Sequence, residues 1–170
     1  MSDATDILIE VRDLALGYGT RVVLEGLNFD VHRGEVFVIL GGSGSGKSSL
    51  IRRMMGLDPP ISGEILIEGQ SIVNADANTR LELSREFGVL FQAGALFGSL
   101  TLEQNVMLPL QEHTTLSREL CRLLAREKLR AVGLDGFEHY LPGSCSGGMK
   151  KRAGLARAMA LDPPLLFLDE

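Results

Sequence analysis

Only two cysteines occur among 170 residues, Cys121 and Cys145, and they make neither a metal-ligand spacing nor a disulfide framework. No run approaches the roughly 18 consecutive apolar residues of a membrane-crossing helix, so a spanning segment is not expected. Positive charge is short as well: 17 Lys and Arg against 22 Asp and Glu give a net charge of −5. The electrostatic footprint of a nucleic-acid binder is missing, and no nucleic-acid partner is expected. The opening residues, Met1-Ser2-Asp3-Ala4-Thr5-Asp6, are acidic and no apolar signal block follows them, which points to the cytoplasm. Low-complexity stretches, linkers and internal repeats are lacking; Asp58-Pro59-Pro60 and Asp162-Pro163-Pro164 each read as a helix terminator. The remainder, 45% hydrophobic and 23% charged, describes one domain with a real core, or one domain carrying a small insertion.

What is present is concentrated in one stretch. Gly41-Gly42-Ser43-Gly44-Ser45-Gly46-Lys47-Ser48 fits the phosphate-binding pattern G-x-x-x-x-G-K-S/T at every fixed position. Before it, Val36-Phe37-Val38-Ile39-Leu40 is a short apolar run, expected as a fully buried parallel strand. After it, Ser49 to Met55 has helix-forming composition. Strand, glycine loop and helix is the context this motif needs. Glycines let backbone N–H groups curl round a polyphosphate, and the helix N-terminus adds a favourable dipole. Lys47 is expected at the β- and γ-phosphates and Ser48 on Mg²⁺, with Ser49 beside them. A merely flexible glycine-serine loop would leave the lysine and serine positions unexplained. The chain is expected to bind a nucleoside triphosphate.

Around that loop the pattern alternates. Ile7 to Val11 reads as a strand with Tyr18-Gly19-Thr20 in a turn after it, and Leu27, Phe29 and Val31 show a period of two. Ile65 and Ile67 suggest a hairpin strand, and Phe87 to Phe91 is a further apolar run ending at Gln92. Thr101 with Gln104 is a capping-box signature, with Pro109 expected to limit that helix. Ser117 caps a longer helix to about Val132, whose apolar stripe is Cys121, Leu124, Ala125, Leu129 and Val132. A third helix starts near Gly148, and Leu165 to Leu168 returns to buried-strand character before Asp169-Glu170. The order implies an α/β fold with a parallel core.

The acid pair is the partner such a loop requires. An aspartate at a strand end helps hold Mg²⁺, and a glutamate just beyond it can polarise the attacking water. Between the two motifs, Ser146-Gly147-Gly148 offers a hydroxyl and unobstructed N–H groups at a helix start, an anion site; taken alone it reads first as a glycine turn with an N-cap serine.

The phosphate loop, Gln92, Ser146-Gly147-Gly148-Met149-Lys150-Lys151-Arg152 and Asp169-Glu170, in this order, resemble the ATP-binding subunit of ABC transporters over essentially all 170 residues. The resemblance implies a P-loop NTPase (RecA-like) core with an N-terminal antiparallel β subdomain and a helical insertion. Residues 1–92 and 147–170 would form the β subdomain and core, and 93–146 the helical subdomain. It implies that Tyr18 stacks on adenine and that Gly41 to Ser48 are the Walker A loop. Gln92 would be the Q-loop glutamine, a Mg²⁺ ligand with Ser48 and Asp169. Ser146, Gly147 and Gly148 would close over the partner subunit's γ-phosphate, and Glu170 would be the catalytic glutamate, acting with Lys47 and Gln92. ATP and Mg²⁺ are the implied cofactors. Cys145 and Met149 depart from the commonest signature residues, leucine and glutamine; Cys145 is expected as a packing substitution. The family's switch histidine follows Walker B, whereas His32, His113 and His139 all precede Asp169. The sequence is therefore expected to be truncated, with the C-terminal part of the fold missing and the isolated chain poorly active.

One branch stands out. Phe91-Gln92-Ala93-Gly94-Ala95-Leu96-Phe97, Ser99-Leu100-Thr101 and Pro109 to Thr114 resemble ATPases of phospholipid transporters of Gram-negative envelopes, the lipid-asymmetry or solvent-resistance systems. That resemblance implies a homodimer with shared ATP sites, peripheral at the cytoplasmic face of the inner membrane and bound to a transmembrane permease. Leu96, Phe97, Leu100 and Leu102 would supply the permease-docking surface, although core packing explains them equally. Another importer ATPase, a non-transport ABC ATPase and a catalytically silent fragment are the alternatives.

Overall fold

A computed structural model describes residues 6–19, 21–92 and 94–169. The chain divides into two compact units, Met1–Ser84 and Arg85–Glu170.

In the first unit, alternating aliphatic residues build an antiparallel sheet of order β2-β1-β3-β4. Its strands are β1 (Ile7–Tyr18), β2 (Arg21–His32), β3 (Ser62–Ile67) and β4 (Gln70–Ser71). β1 is central, pairing Val11 with Phe29 on one side and with Ile65 on the other. Its inward side chains Ile9, Val11, Leu14 and Leu16 are buried with Ile65 and Ile67. The strand runs past Val11 and carries Tyr18 at its end, rather than in a turn beyond it. A bulge at Asp13 makes this possible. There φ is 44°, and Asn28 both accepts from the Asp13 N–H and donates to its carboxylate, each at 2.9 Å.

Helix α1 (Lys47–Met54) buries Leu50, Ile51, Arg53 and Met54 and lies against β1. It stops at Met55 and Gly56, just before Asp58-Pro59-Pro60. A short α2 (Ala77–Leu83) was not evident in the apolar pattern; Asp76 caps it by accepting from the Thr79 N–H at 2.8 Å.

The buried parallel strand expected at Val36–Leu40 is not formed. Among the described residues no strand pairs with it, and Val36 and Leu40 are each 87% exposed. Apolar composition specifies a buried strand only where a ladder partner and two covering layers exist. The first unit's sheet is built from antiparallel neighbours and supplies no parallel partner to this run. Phe37 instead stacks on Phe29, ring centroids 5.0 Å apart.

In the second unit, β5 (Phe87–Leu90) and β6 (Leu165–Leu168), both expected as apolar strands, form a parallel pair, in register from Phe87 with Leu165 to Leu90 with Leu168. β6 is less buried than its composition suggests: Phe167 is covered, while Leu166 and Leu168 are exposed. Three helices pack together beside the pair: α3 (Leu102–His113), α4 (Arg118–Ala131) and α5 (Gly147–Ala158). α5 approaches β5 so closely that a Cβ on Gly88 would lie 2.0 Å from the Ala158 carbonyl oxygen.

The Thr101–Gln104 capping box forms as expected. Pro109, however, does not limit α3, which continues through it to His113. Proline inside a helix costs about 3 kcal/mol. Val106, Met107 and Leu110 are buried around it, and each such side chain contributes roughly 1.5–3 kcal/mol. Packing outweighs propensity here. On α4 the stripe is narrower than expected, since Cys121, Ala125 and Leu129 are buried and Leu124 faces outward.

Asn105 is fully buried and pins the segment before α3. It accepts from the Phe97 N–H at 2.8 Å and donates to the Phe97, Leu100 and Thr101 carbonyls at 3.1, 3.1 and 2.9 Å. Asn105→Ala strands those groups, and a loss of about 2–4 kcal/mol in unfolding free energy is expected by denaturant titration.

Candidate functional site

The phosphate loop leaves the first unit's sheet and turns into α1. The Ser45 N–H donates to the Gly42 carbonyl at 3.3 Å, and a Cβ on Gly41 would lie 2.5 Å from Ser45 Oγ. Gly46 is the N-cap of α1 with φ 97° and ψ 7°, a left-handed conformation that favours glycine. α2, α3, α4 and α5 each begin with a side-chain acceptor: Asp76, Thr101, Ser117 and Ser146. α1 begins with a residue that has no side chain, so its first turn is left to an outside acceptor. Lys47 Nζ folds back over the loop and donates to the carbonyls of Gly41 and Gly42 at 2.7 and 2.8 Å. Phosphate oxygens accept the same bonds, so this donor set fits a polyphosphate. Ser43 and Gly44 are exposed in the loop, and Ser48 is exposed at the start of α1.

Tyr18 belongs to the same unit. Its hydroxyl lies 2.6 Å from Ser49 Oγ, and its ring, 58% exposed, has the Arg53 guanidinium carbon 5.0 Å from the centroid. The Ser49 hydrogen bond first, and the Arg53 guanidinium second, hold the phenol below its ordinary value. Arg53 escaped the sequence reading. Nothing in Ile51-Arg52-Arg53-Met54 distinguishes a solvated arginine from a buried one, yet Arg53 is 3% exposed.

In the second unit, register decides what meets. Leu90 pairs with Leu168, and the Asp169 N–H donates to the Leu90 carbonyl at 2.9 Å. Gln92 and Asp169 therefore leave the C-terminal ends of adjacent parallel strands, the edge where α/β sheets bind ligands. Glu170 lies outside the described residues. Ser146 caps α5, its Oγ accepting from the Met149 N–H at 3.2 Å. A Cβ on Gly147 or Gly148 would meet nothing within 4 Å, so neither glycine is required by packing within this chain. Cys145 is buried in the helical core with Sγ 3.4 Å from the Leu141 carbonyl, as a packing residue.

The segment after Gln92 is fastened to α5 by a residue that the sequence did not single out. Arg157 donates to the Ala95 and Gly94 carbonyls at 2.8 and 3.1 Å, and burial pulls its guanidinium below the ordinary value. Gly154 permits the approach, because a Cβ there would lie 3.0 Å from the Gly94 oxygen. The two readings of the neighbouring apolar residues divide: Leu102 is core, Leu96 packs on that core, and Phe97 is 53% exposed.

A family profile described as ABC transporter matches residues 24–170. The probable ribonucleotide transport ATP-binding protein mkl of Mycobacterium leprae is 46% identical over 164 residues, 96% of this chain and 47% of that protein. The intermembrane phospholipid transport system ATP-binding protein MlaF of Haemophilus influenzae is 44% identical, with 96% of this chain and 62% of that protein covered. MlaF of Escherichia coli is 38% identical, with 100% of this chain and 63% of that protein covered. The chain thus spans about half to just under two thirds of the length of these curated relatives. Among solved structures, the dimeric post-hydrolysis state of the ATP-binding cassette MJ0796 bound to ADP and Pi superposes with a TM-score of 0.88 at 30% identity. That match covers 96% of this chain and 74% of the other.

Removing the Arg157 fork should loosen the segment beyond Gln92. In Arg157→Ala, amide hydrogen exchange at Gly94–Leu96 is expected to rise by about tenfold or more, with the α3 amides unchanged.

Proposed function

The chain belongs to the ABC transporter family, and on that premise we propose that it binds Mg²⁺–ATP through its phosphate loop and hydrolyses it to drive a phospholipid transporter. The observation that carries the nucleotide reading is the glycine-capped α1, with Lys47 folded onto the loop carbonyls. In this reading the amides of Gly41 to Ser49 and the Lys47 ammonium bind phosphate. Tyr18 receives the base. Ser48, Gln92 and Asp169 would each supply an oxygen to Mg²⁺, as the family resemblance implies, and the ion would neutralise charge developing on the phosphoryl oxygens. Glu170 orients water and takes its proton. Ser146, Gly147 and Gly148 meet the γ-phosphate held by a second copy, so each site is completed only in a homodimer. Residues 93–146 act as a helical subdomain that docks a membrane permease, with Phe97 available on its surface.

The phospholipid assignment is supported by the similarity to MlaF of two organisms. Similarity of 45–46% to mkl proteins supports a second reading, a ribonucleotide transporter ATPase. Among the described residues no helix is long and apolar enough to cross a membrane. In this reading the chain acts at a membrane through its permease.

With the permease complex reconstituted, Lys47→Ala is expected to weaken ATP binding roughly 10- to 100-fold through loss of a charge-assisted contact. Glu170→Gln is expected to keep ATP binding and lose turnover. Wild-type turnover in either variant would remove the assignment. Stimulation by phospholipid, and not by ribonucleotide, would select between the two transport readings.

A further inference from the structure

Arginine is among the residues least often buried without a partner, yet Arg53 is 3% exposed and its contacts converge on one neighbour. It donates to the Gly17 carbonyl at 2.9 Å, immediately before Tyr18, and to the Ser49 carbonyl at 3.1 Å. Ser49 is also the partner of the Tyr18 hydroxyl at 2.6 Å. The same guanidinium lies over the Tyr18 ring, 5.0 Å from its centroid, and Asp58 stands 3.6 Å away. One planar fork thus grips the backbone on both sides of the Tyr18–Ser49 contact and covers one face of the ring. With one face covered, the 58% exposure of Tyr18 leaves the other open to solvent.

We propose that Arg53 is a positioning residue for base recognition: it fixes the Tyr18 ring over the start of α1, so that the open face meets an adenine base without losing rotamer freedom at the moment of binding. The proposal rests on the reading of Tyr18 as the base-stacking aromatic. Ordering a side chain before binding reduces what association must overcome. Lysine cannot substitute, because a single ammonium does not span two carbonyls and a ring face together.

The test compares two probes that share the triphosphate and differ in the base. Binding of ATP and of inorganic tripolyphosphate, each with Mg²⁺, is measured by calorimetry for the unaltered chain, R53M, R53K, Y18A and Y18A/R53M. R53M is expected to weaken ATP about fivefold, the size of a solvent-exposed cation–π contact, and to leave tripolyphosphate unchanged. In the Y18A background R53M should have no further effect on ATP. Equal weakening of both probes, or additive losses in the double variant, would overturn the role of Arg53. If Y18A leaves the ATP-to-tripolyphosphate ratio unaltered, the base-stacking reading fails first and takes the proposal with it. If R53M does not fold, R53K carries the test, with a selective loss of ATP affinity expected and an equal loss of both probes contradicting it.

A spectroscopic check is independent of ligand. The chain has no tryptophan and two tyrosines, so in Y140F the phenolate absorbance reports Tyr18 alone. Arg53 favours the phenolate, so R53M is expected to raise the titration midpoint. An unchanged midpoint would show that Arg53 does not hold the ring.

Discussion

A helix whose first residue has no side chain cannot cap itself, and its opening N–H groups must find an acceptor from elsewhere. α1 is in that position because Gly46 occupies its N-cap in a left-handed conformation. The surrounding features answer this constraint. The glycines before it let the backbone turn within a few residues, and Lys47 brings a cation to the carbonyls of the same turn. A polyphosphate satisfies the dipole, the amides and the ammonium together. The first unit's antiparallel sheet carries Tyr18 at the tip of β1, beside Ser49 of α1.

The second unit is organised by strand register and by α5. Parallel pairing of β5 with β6 brings Gln92 and Asp169 to neighbouring strand ends. α5 begins at Ser146 with two unobstructed glycines, and along its length it holds the segment after Gln92 through Arg157 and Gly154. The helix start proposed to meet phosphate and the segment beyond the proposed metal-binding glutamine thus share one rigid element.

Much of this was legible in the sequence where a signal is local. The phosphate-loop motif, the Thr101 and Ser117 caps, the hairpin at Ile65 and the apolar runs at β5 and β6 each depend on a few adjacent residues. What escaped depends on distant neighbours. Val36–Leu40 has the composition of a core strand, but burial requires a ladder partner that composition does not name. Pro109 is tolerated because of packing around Val106 and Leu110, which periodicity alone does not weigh. Arg53 and Arg157 look like surface charges, and only contacts with Tyr18 and with the Gly94–Ala95 carbonyls reveal their work.

The most direct measurement is an amide-resolved NMR titration of the chain with Mg²⁺–ATP. The account predicts saturable shifts that are largest at the amides of Gly42 to Ser49, where an incoming acceptor completes the first turn of α1. Shifts concentrated elsewhere, with those amides unmoved at saturation, would contradict it.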